Sequence, residues 1–546
     1  MECRAKVLDY FQQHQRGWLL SLLATIILIY VPFLGNAFFF DDLNFFSGNI
    51  PNSFAHSDFN FSLRWFPYAS LAWTAAIFSD AVPHFFHLGN MLLHAANVIL
   101  LFFLLQRLIT LVSPLDKKHR DWAVWLGTVF FACNPVAVYA VGYVIQRSIL
   151  MATCFTLAMQ LAYLNGLLSN QKLRQIFWMG ISVGFYFLAV FSKEHALTAP
   201  AILMATTFLL YPQINTDKKT LSMAWLSYVI IGTFILLRAK GVFGVAYETS
   251  ASSLFEQQGI VETTPNLLLL SIFTQAGLFF KYLFLWLVPN PAWLSVDMRE
   301  TFAASLGDWG NWLKAAAFIL YGVAASNLLL RKGKIGLIGF SMLYPWLFFI
   351  VEFSTIRIQE PFVLYRSYLW MPGMALLISL FVNTLPNCKQ TIIVISIIVL
   401  SFIAISWNRL WVFADSYRLW NDAALLLKTE SSPGAARIYF NRGKVALDAK
   451  RWKDAAADFS RVVAIDPKIE QTYMNRGTAY SALGQYRTAI RDFNQAIILN
   501  PAYADAYFGK SMALKHLNSN VEASINIKKS CSLGNKLACF LSPRQP

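Results

Sequence analysis

Long apolar runs, separated by short polar or basic stretches, occupy most of the chain. They lie near 18–35, 84–112, 122–134, 148–167, 176–192, 196–211, 221–238, 311–330, 335–353, 368–385 and 391–407. About 20 apolar residues cross a hydrocarbon core as a helix, and each run reaches or approaches that length. The 122–134 run is short and must borrow flanking residues. The pattern predicts an all-α, polytopic transmembrane bundle of about 11 spans over residues 1–411. Residues 266–288 also have spanning length, but a crossing there would move the basic cluster at Arg331–Lys334 to the wrong side. A re-entrant or interfacial segment removes that conflict.

Charge fixes the orientation. With the N-terminus in the cytoplasm, the inner loops hold Lys117, Lys118 and Arg120; Lys172 and Arg174; Lys218 and Lys219; Arg331, Lys332 and Lys334; and Lys389. Basic residues in short loops mark the cytoplasmic side. The longer loops 36–83 and 239–310 then share the outer face, and so does everything after Trp407. The first apolar run follows Arg4, Lys6 and Arg16 and reads as a retained signal-anchor helix.

Beyond Trp407 the pattern becomes that of a soluble helical repeat. Pro467 and Pro501, Asn441-Arg442-Gly443 and Asn475-Arg476-Gly477, and Asp458-Phe459 and Asp492-Phe493 each recur at a spacing of 34 residues. That period, with Tyr, Gly, Ala, Phe and Pro at matching offsets, predicts a tetratricopeptide-repeat α-solenoid. The repeats are 435–468, 469–502 and a degenerate 503–536, joined to the bundle by a connecting helix within 412–434.

Composition agrees: 57% of residues are hydrophobic and 14% charged, with mean hydropathy +0.48. The net charge of +16 resides in loops and repeats, which argues against nucleic-acid binding. The six cysteines show no zinc-site spacing.

Candidate chemistry gathers on the outer face. Asp41 and Asp42 follow the first span in an aromatic setting that raises proton affinity and suits a general base. The plainer alternative is that they only mark a helix end. His87, Asn90, His94 and Asn97 share one helix stripe, as interhelical hydrogen-bond groups or, less simply, as part of a metal site. Tyr143, Gln146 and Arg147, then Lys193 and Glu194, then Tyr365 and Arg366 stand at outer helix mouths, and Arg64 begins an aromatic interfacial stretch. Basic residues on this face run against the topology bias. Arg147, Lys193 and Arg366 together point to an anionic ligand such as a phosphate.

The stretches FFFDDLNFF (38–46), HLGNMLLHAAN (87–97), NPVAVYAVGYVIQRS (134–148), FSKEHALTAP (191–200) and LYRSYLWMPG (364–373), followed by the repeats, resemble the GT-C class of membrane glycosyltransferases. The likeness is greatest to TMTC-type O-mannosyltransferases and their bacterial relatives. It implies an inverting transferase whose donor substrate is a sugar on a polyprenyl phosphate and whose acceptor is a hydroxyl. By this likeness Asp41 is the favoured base, with Asp42 orienting the acceptor or a metal; GT-C enzymes differ in needing a divalent cation, and Mg or Mn at Asp41 and Asp42 is the form it would take here. Arg147, Lys193 and Arg366 would hold the lipid phosphate, and Glu194 would position Lys193 or contact the sugar. Asn134 and Tyr139 depart from the pattern, which more often has His and Glu there. The Gln146-Arg147 ending suits the bacterial branch, and so an inner membrane with periplasmic repeats. The acceptor would be a secreted or surface protein, pilin-like for example, held through the basic concave surface by Asn441, Arg442, Asn475 and Arg476. Cys531 and Cys539 can close a disulfide in an oxidising compartment. Other readings are an enzyme modifying a surface glycan or lipid, a transporter, and a non-catalytic scaffold that recruits partners through its repeats.

Overall fold

A computed structural model describes residues 15–46, 50–78, 82–112, 117–246, 254–256, 258, 260, 266–382 and 389–541. The side chains of Lys117, Lys118 and Lys389, and parts of the 36–83 and 239–310 loops, lie outside the described residues. The chain divides into two compact units, one of helices up to Ala414 and one formed chiefly by residues 415–546.

The first unit is all-α. Among its described residues, nine helices are long and apolar enough to cross a bilayer, or ten with one bent pair. The expectation of eleven similar crossings is adjusted in two ways. The runs near 196–211 and 368–385 form shorter apolar helices, Glu194–Leu210 and Pro372–Phe381. The short 122–134 run belongs to a helix that ends at Cys133, where Asn134-Pro135 breaks it, and the chain bends by 44° into Pro135–Val141. Proline lacks the N–H that would continue the ladder, and the Asn134 side chain instead accepts from the Val136 N–H. Small residues let helices cross closely. A Cβ on Gly339 would lie 2.2 Å from the Leu329 backbone nitrogen, and one on Gly127 would lie 2.3 Å from the Ala375 carbonyl oxygen.

Loop contacts sort the two ends of this bundle. At one end the Asp42 carboxylate meets the Ile145 N–H, Arg64 meets Glu194, Arg238 meets the Phe61 carbonyl and Gly244 donates to the Ser354 carbonyl. At the other, Asn215 donates to the Leu167 carbonyl and Lys332 lies 4.9 Å over the Tyr211 ring. The basic clusters at 172–174, 218–219 and 331–334 therefore share the second end.

The Leu267–Leu287 helix is unbroken and passes the length-and-composition test for a span. Its flanks decide otherwise. The chain before it packs Phe255 and Ile260 with Phe302 and Ile358 at the first end. The chain after it brings the Leu294 carbonyl to Tyr139, also at that end. Phe273 and Phe279 stack in order against Trp312 and Phe318 of the next helix, so the two run in the same direction. Consecutive parallel helices need a return segment, and residues 288–308 supply it. One unbroken helix thus stands where a re-entrant or interfacial segment was expected, with both flanks at the first end and Arg331–Lys334 at the second.

The second unit opens with the Ser416–Leu425 helix, capped by Asp415. Three antiparallel pairs follow: Ala435–Asp448 with Trp452–Ile465, Glu470–Ala482 with Tyr486–Leu499, and Ala504–His516 with Asn520–Ser532. Phe459 and Phe493 fill each pair at the glycine positions, where a Cβ on Gly477 would come within 2.8 Å of the Phe493 ring. In the first repeat Arg442 makes two bonds to Asp458, at 2.8 and 2.7 Å. Arg476 repeats them to Asp492, both at 2.8 Å. Such bidentate pairs fix the angle between paired helices. A disulfide joins Cys531 to Cys539 and so fastens the terminal Lys536–Leu541 helix.

Two outcomes follow. Single cysteines at Val245 and Arg331 will be labelled from opposite sides of sealed vesicles by a membrane-impermeant maleimide; labelling from the same side would make Leu267–Leu287 a crossing. Asp458→Asn will destabilise the repeats by roughly 2 kcal/mol in thermal unfolding, because it leaves the half-buried Arg442 guanidinium without its carboxylate.

Candidate functional site

The site forms where four interrupted stretches meet at the first end of the bundle. The chain leaves the first span and starts a short helix at Asp41, with both acids in its first turn, where helix N–H groups favour negative charge. The two carboxylates then part. Asp42 is 0% exposed. One oxygen accepts from the Phe39 N–H at 3.2 Å and the other from the Ile145 N–H at 2.7 Å. Burial pushes its acid up to about 8, against the pull of these N–H groups. Asp41 is exposed. Its backbone N–H donates to the Tyr143 hydroxyl at 3.0 Å, and no described side chain hydrogen-bonds its carboxylate. Asp42 is thus a clamp between two loops, and Asp41 is the accessible carboxylate. Each Asp42 oxygen accepts one N–H bond, whereas the Asp41 carboxylate faces outward. Among the described residues no three of His, Cys, Asp and Glu gather as metal ligands.

The polar stripe holds the scaffold. His87 Nε2 bonds the Asn36 carbonyl at 3.0 Å, and His94 lies 2.6 Å from the Tyr368 hydroxyl and 3.1 Å from the Ala132 carbonyl. Asn90 donates to the carbonyls of Val141, Tyr143 and Val144. It also accepts from Arg147 Nε at 3.0 Å. Arg147 is 4% exposed. Its other donors reach the Ser70 and Phe86 carbonyls and the Thr74 hydroxyl. A Cβ on Gly89 would sit 2.6 Å from its Nη2, so only glycine admits the guanidinium. All three guanidinium nitrogens of Arg147 are thus engaged by protein acceptors, so the residue expected to hold a phosphate acts here as a brace.

Lys193 is different. It caps the Lys172–Ser192 helix, is 4% exposed, and its Nζ has only long contacts, 3.5 Å each, to Gln146 Oε1 and Ser148 Oγ. It also lies 5.5 Å over the Tyr365 ring. Burial pushes this ammonium down to about 7, and Arg64, Arg366 and Arg357 add to the effect against Glu194. Glu194, expected to position Lys193 or contact a sugar, is bonded by Arg64. Arg64 takes it with both Nε and Nη2, and although burial alone would raise this carboxyl, the Arg64 charge holds it well below the usual range.

Sequence reasoning missed Glu352 and Arg357. Glu352 stands in the apolar run 335–353, where any ionisable side chain is a signal. It bonds His195 at 2.8 Å and lies 3.4 Å from both Arg357 and Arg366. Arg357 carries the same against-the-bias charge as Arg366. The Tyr143 and Tyr365 rings, 6.1 Å apart, stand together between Asp41 and Lys193. The result is an exposed carboxylate near a buried cluster of cations, Arg64, Lys193, Arg357 and Arg366, with Glu194, Glu352 and Glu360 as the nearby acids.

In the repeats, Arg442 and Arg476 are committed to their aspartates. Their offer to an acceptor is accordingly smaller than their charge implies. Asn441 and Asn475 occupy equivalent half-buried positions, and their side-chain amides bond no described residue.

Residues 470–503 and 414–468 each match a family model described as tetratricopeptide repeat. No glycosyltransferase family matches. No curated protein matches the chain. Among solved structures, the Arabidopsis OM64 TPR domain is 22% identical over 19% of this chain and 89% of that one, with a TM-score of 0.19. The Sgt2 TPR domain from Aspergillus fumigatus is 22% identical over 19% of this chain and 73% of that one, at 0.19. The second TPR of Spaghetti (RPAP3), bound to the HSP90 peptide SRMEEVD, is 26% identical over 18% of this chain and 91% of that one, at 0.18. The chain carries tetratricopeptide repeats within 414–503, behind a region rich in membrane-length apolar helices.

Proposed function

We propose that this protein is a membrane glycosyltransferase that moves a sugar from a polyprenyl-phosphate-type donor to a hydroxyl of a protein acceptor. The observation that carries the reading is that exposed Asp41 and the buried cations Lys193, Arg357 and Arg366 stand at one end of the bundle, joined through the Tyr143 and Tyr365 rings. Asp41 takes the proton of the acceptor hydroxyl. The hydroxyl oxygen attacks the anomeric carbon, the bond from that carbon to the phosphate oxygen breaks, and its electron pair stays on the phosphate. Lys193 and Arg366 stabilise that growing charge in a site that excludes water, where such interactions are strongest. The tyrosine rings of Tyr143 and Tyr365 give a sugar two flat faces.

The basic clusters at the opposite end support a cytoplasmic N-terminus, with the site on the extracytoplasmic side of a bacterial inner membrane. The Cys531–Cys539 disulfide suits repeats in an oxidising periplasm. There the repeats select the acceptor, with the free amides of Asn441 and Asn475 reading its backbone. A scaffold without catalysis is the second reading, favoured by family matches that fall on the repeats.

Intact-mass analysis of co-expressed secreted proteins tests the transferase. Asp41→Asn should lower glycan transfer by about 100-fold or more, the usual contribution of a general base. Wild-type and variant cells with the same acceptor masses would favour the scaffold. Binding of a polyprenyl phosphate should weaken as pH rises through about 7, where Lys193 loses its proton. Lys193→Arg keeps its charge and should flatten that decline, read by calorimetric titration from pH 6 to 8.5.

A further inference from the structure

Glu352 has no part in the chemistry proposed above, yet it is 1% exposed and surrounded by cations. It sits at the end of the Gly333–Ser354 helical stretch. One oxygen accepts from His195 Nε2 at 2.8 Å, two residues beyond Lys193. The other lies 3.4 Å from Arg357 Nε and 3.4 Å from Arg366 Nη1. His195 Nδ1 in turn lies 3.7 Å from Glu194, the partner of Arg64.

We propose that Glu352 is the positioning residue of the phosphate pocket, a single buried carboxylate that fixes the separate segments carrying its cations. The inference rests on the transferase reading. A ligand anion is bound best by donors already aimed at it, and Arg357 and Arg366, brought to one place, repel one another unless a carboxylate lies against both. Glu352 supplies the counter-charge from beneath, on a helix, leaving the loops at 193–195 and 357–366 no freedom to separate. It touches no reacting atom; it acts through Arg366, Arg357 and His195.

Simple charge counting and positioning predict opposite results for Glu352→Gln. Removing a negative charge should tighten anion binding if the pocket merely sums charge. If Glu352 positions the donors, binding should weaken by roughly tenfold. The measurement is calorimetric titration of farnesyl phosphate into purified full-length protein in detergent at pH 6.5, with inorganic phosphate as a control. Weaker binding to Glu352→Gln, with partial recovery in Glu352→Asp, is the expected result. Unchanged or tighter binding to the variant overturns the positioning role alone. Failure of the wild type to bind farnesyl phosphate overturns the transferase reading and this inference with it. Should Glu352→Gln not fold, His195→Gln keeps the carboxylate and removes one contact. Several-fold weaker binding then supports the role, and unchanged binding overturns it.

Discussion

A polar group placed within a membrane bundle finds no water to bond, so every donor and acceptor must be matched by the protein itself. The arrangement around Arg147 obeys this constraint. Its guanidinium links the helix that begins at Trp65, the helix that begins at Pro83 and its own helix through Ser70, Thr74, Phe86 and Asn90. Asn90 passes the linkage on to the carbonyls of the 141–144 turn. From that turn the Ile145 N–H reaches Asp42. The position of Asp41 is thus set by a chain of hydrogen bonds that starts at an arginine holding no ligand.

The same constraint separates the acids and bases of the site into those that hold and those that are available. Asp42, Glu194 and Glu352 are consumed by N–H groups or cations, and Arg64 and Arg147 by their acceptors. Asp41 and Lys193 have the fewest commitments. Asp41 faces outward, and Lys193 has only the long contacts to Gln146 and Ser148.

Much of this was legible in the sequence. The spanning runs, the loop charge and the 34-residue period follow from hydropathy and spacing alone, and they survive with changed helix lengths. The stripe of His87, Asn90, His94 and Asn97 was readable as interhelical glue for the same reason. What periodicity cannot convey is which of several similar side chains is already bonded. Arg147 and Lys193 look alike as outer-mouth cations, and only the three-dimensional surroundings give one close acceptors on all its nitrogens and the other only long contacts. Asp41 and Asp42 are adjacent and chemically identical, yet a helix turn sends one inward and the other out. Glu352 was visible as an acid in an apolar run, but its partners lie in two other loops.

The contacts that define the pocket join residues far apart along the chain: Asp42 with Ile145, Arg64 with Glu194, His195 with Glu352. A ribosome delivers them in that order, and the pocket stays open until the last arrives. Each intermediate leaves a polar side chain without the partner it has in the folded chain, first Asp42, then Arg64, then His195. A truncation before residues near Arg366 therefore leaves polar groups unmatched, a natural mark for quality-control proteolysis.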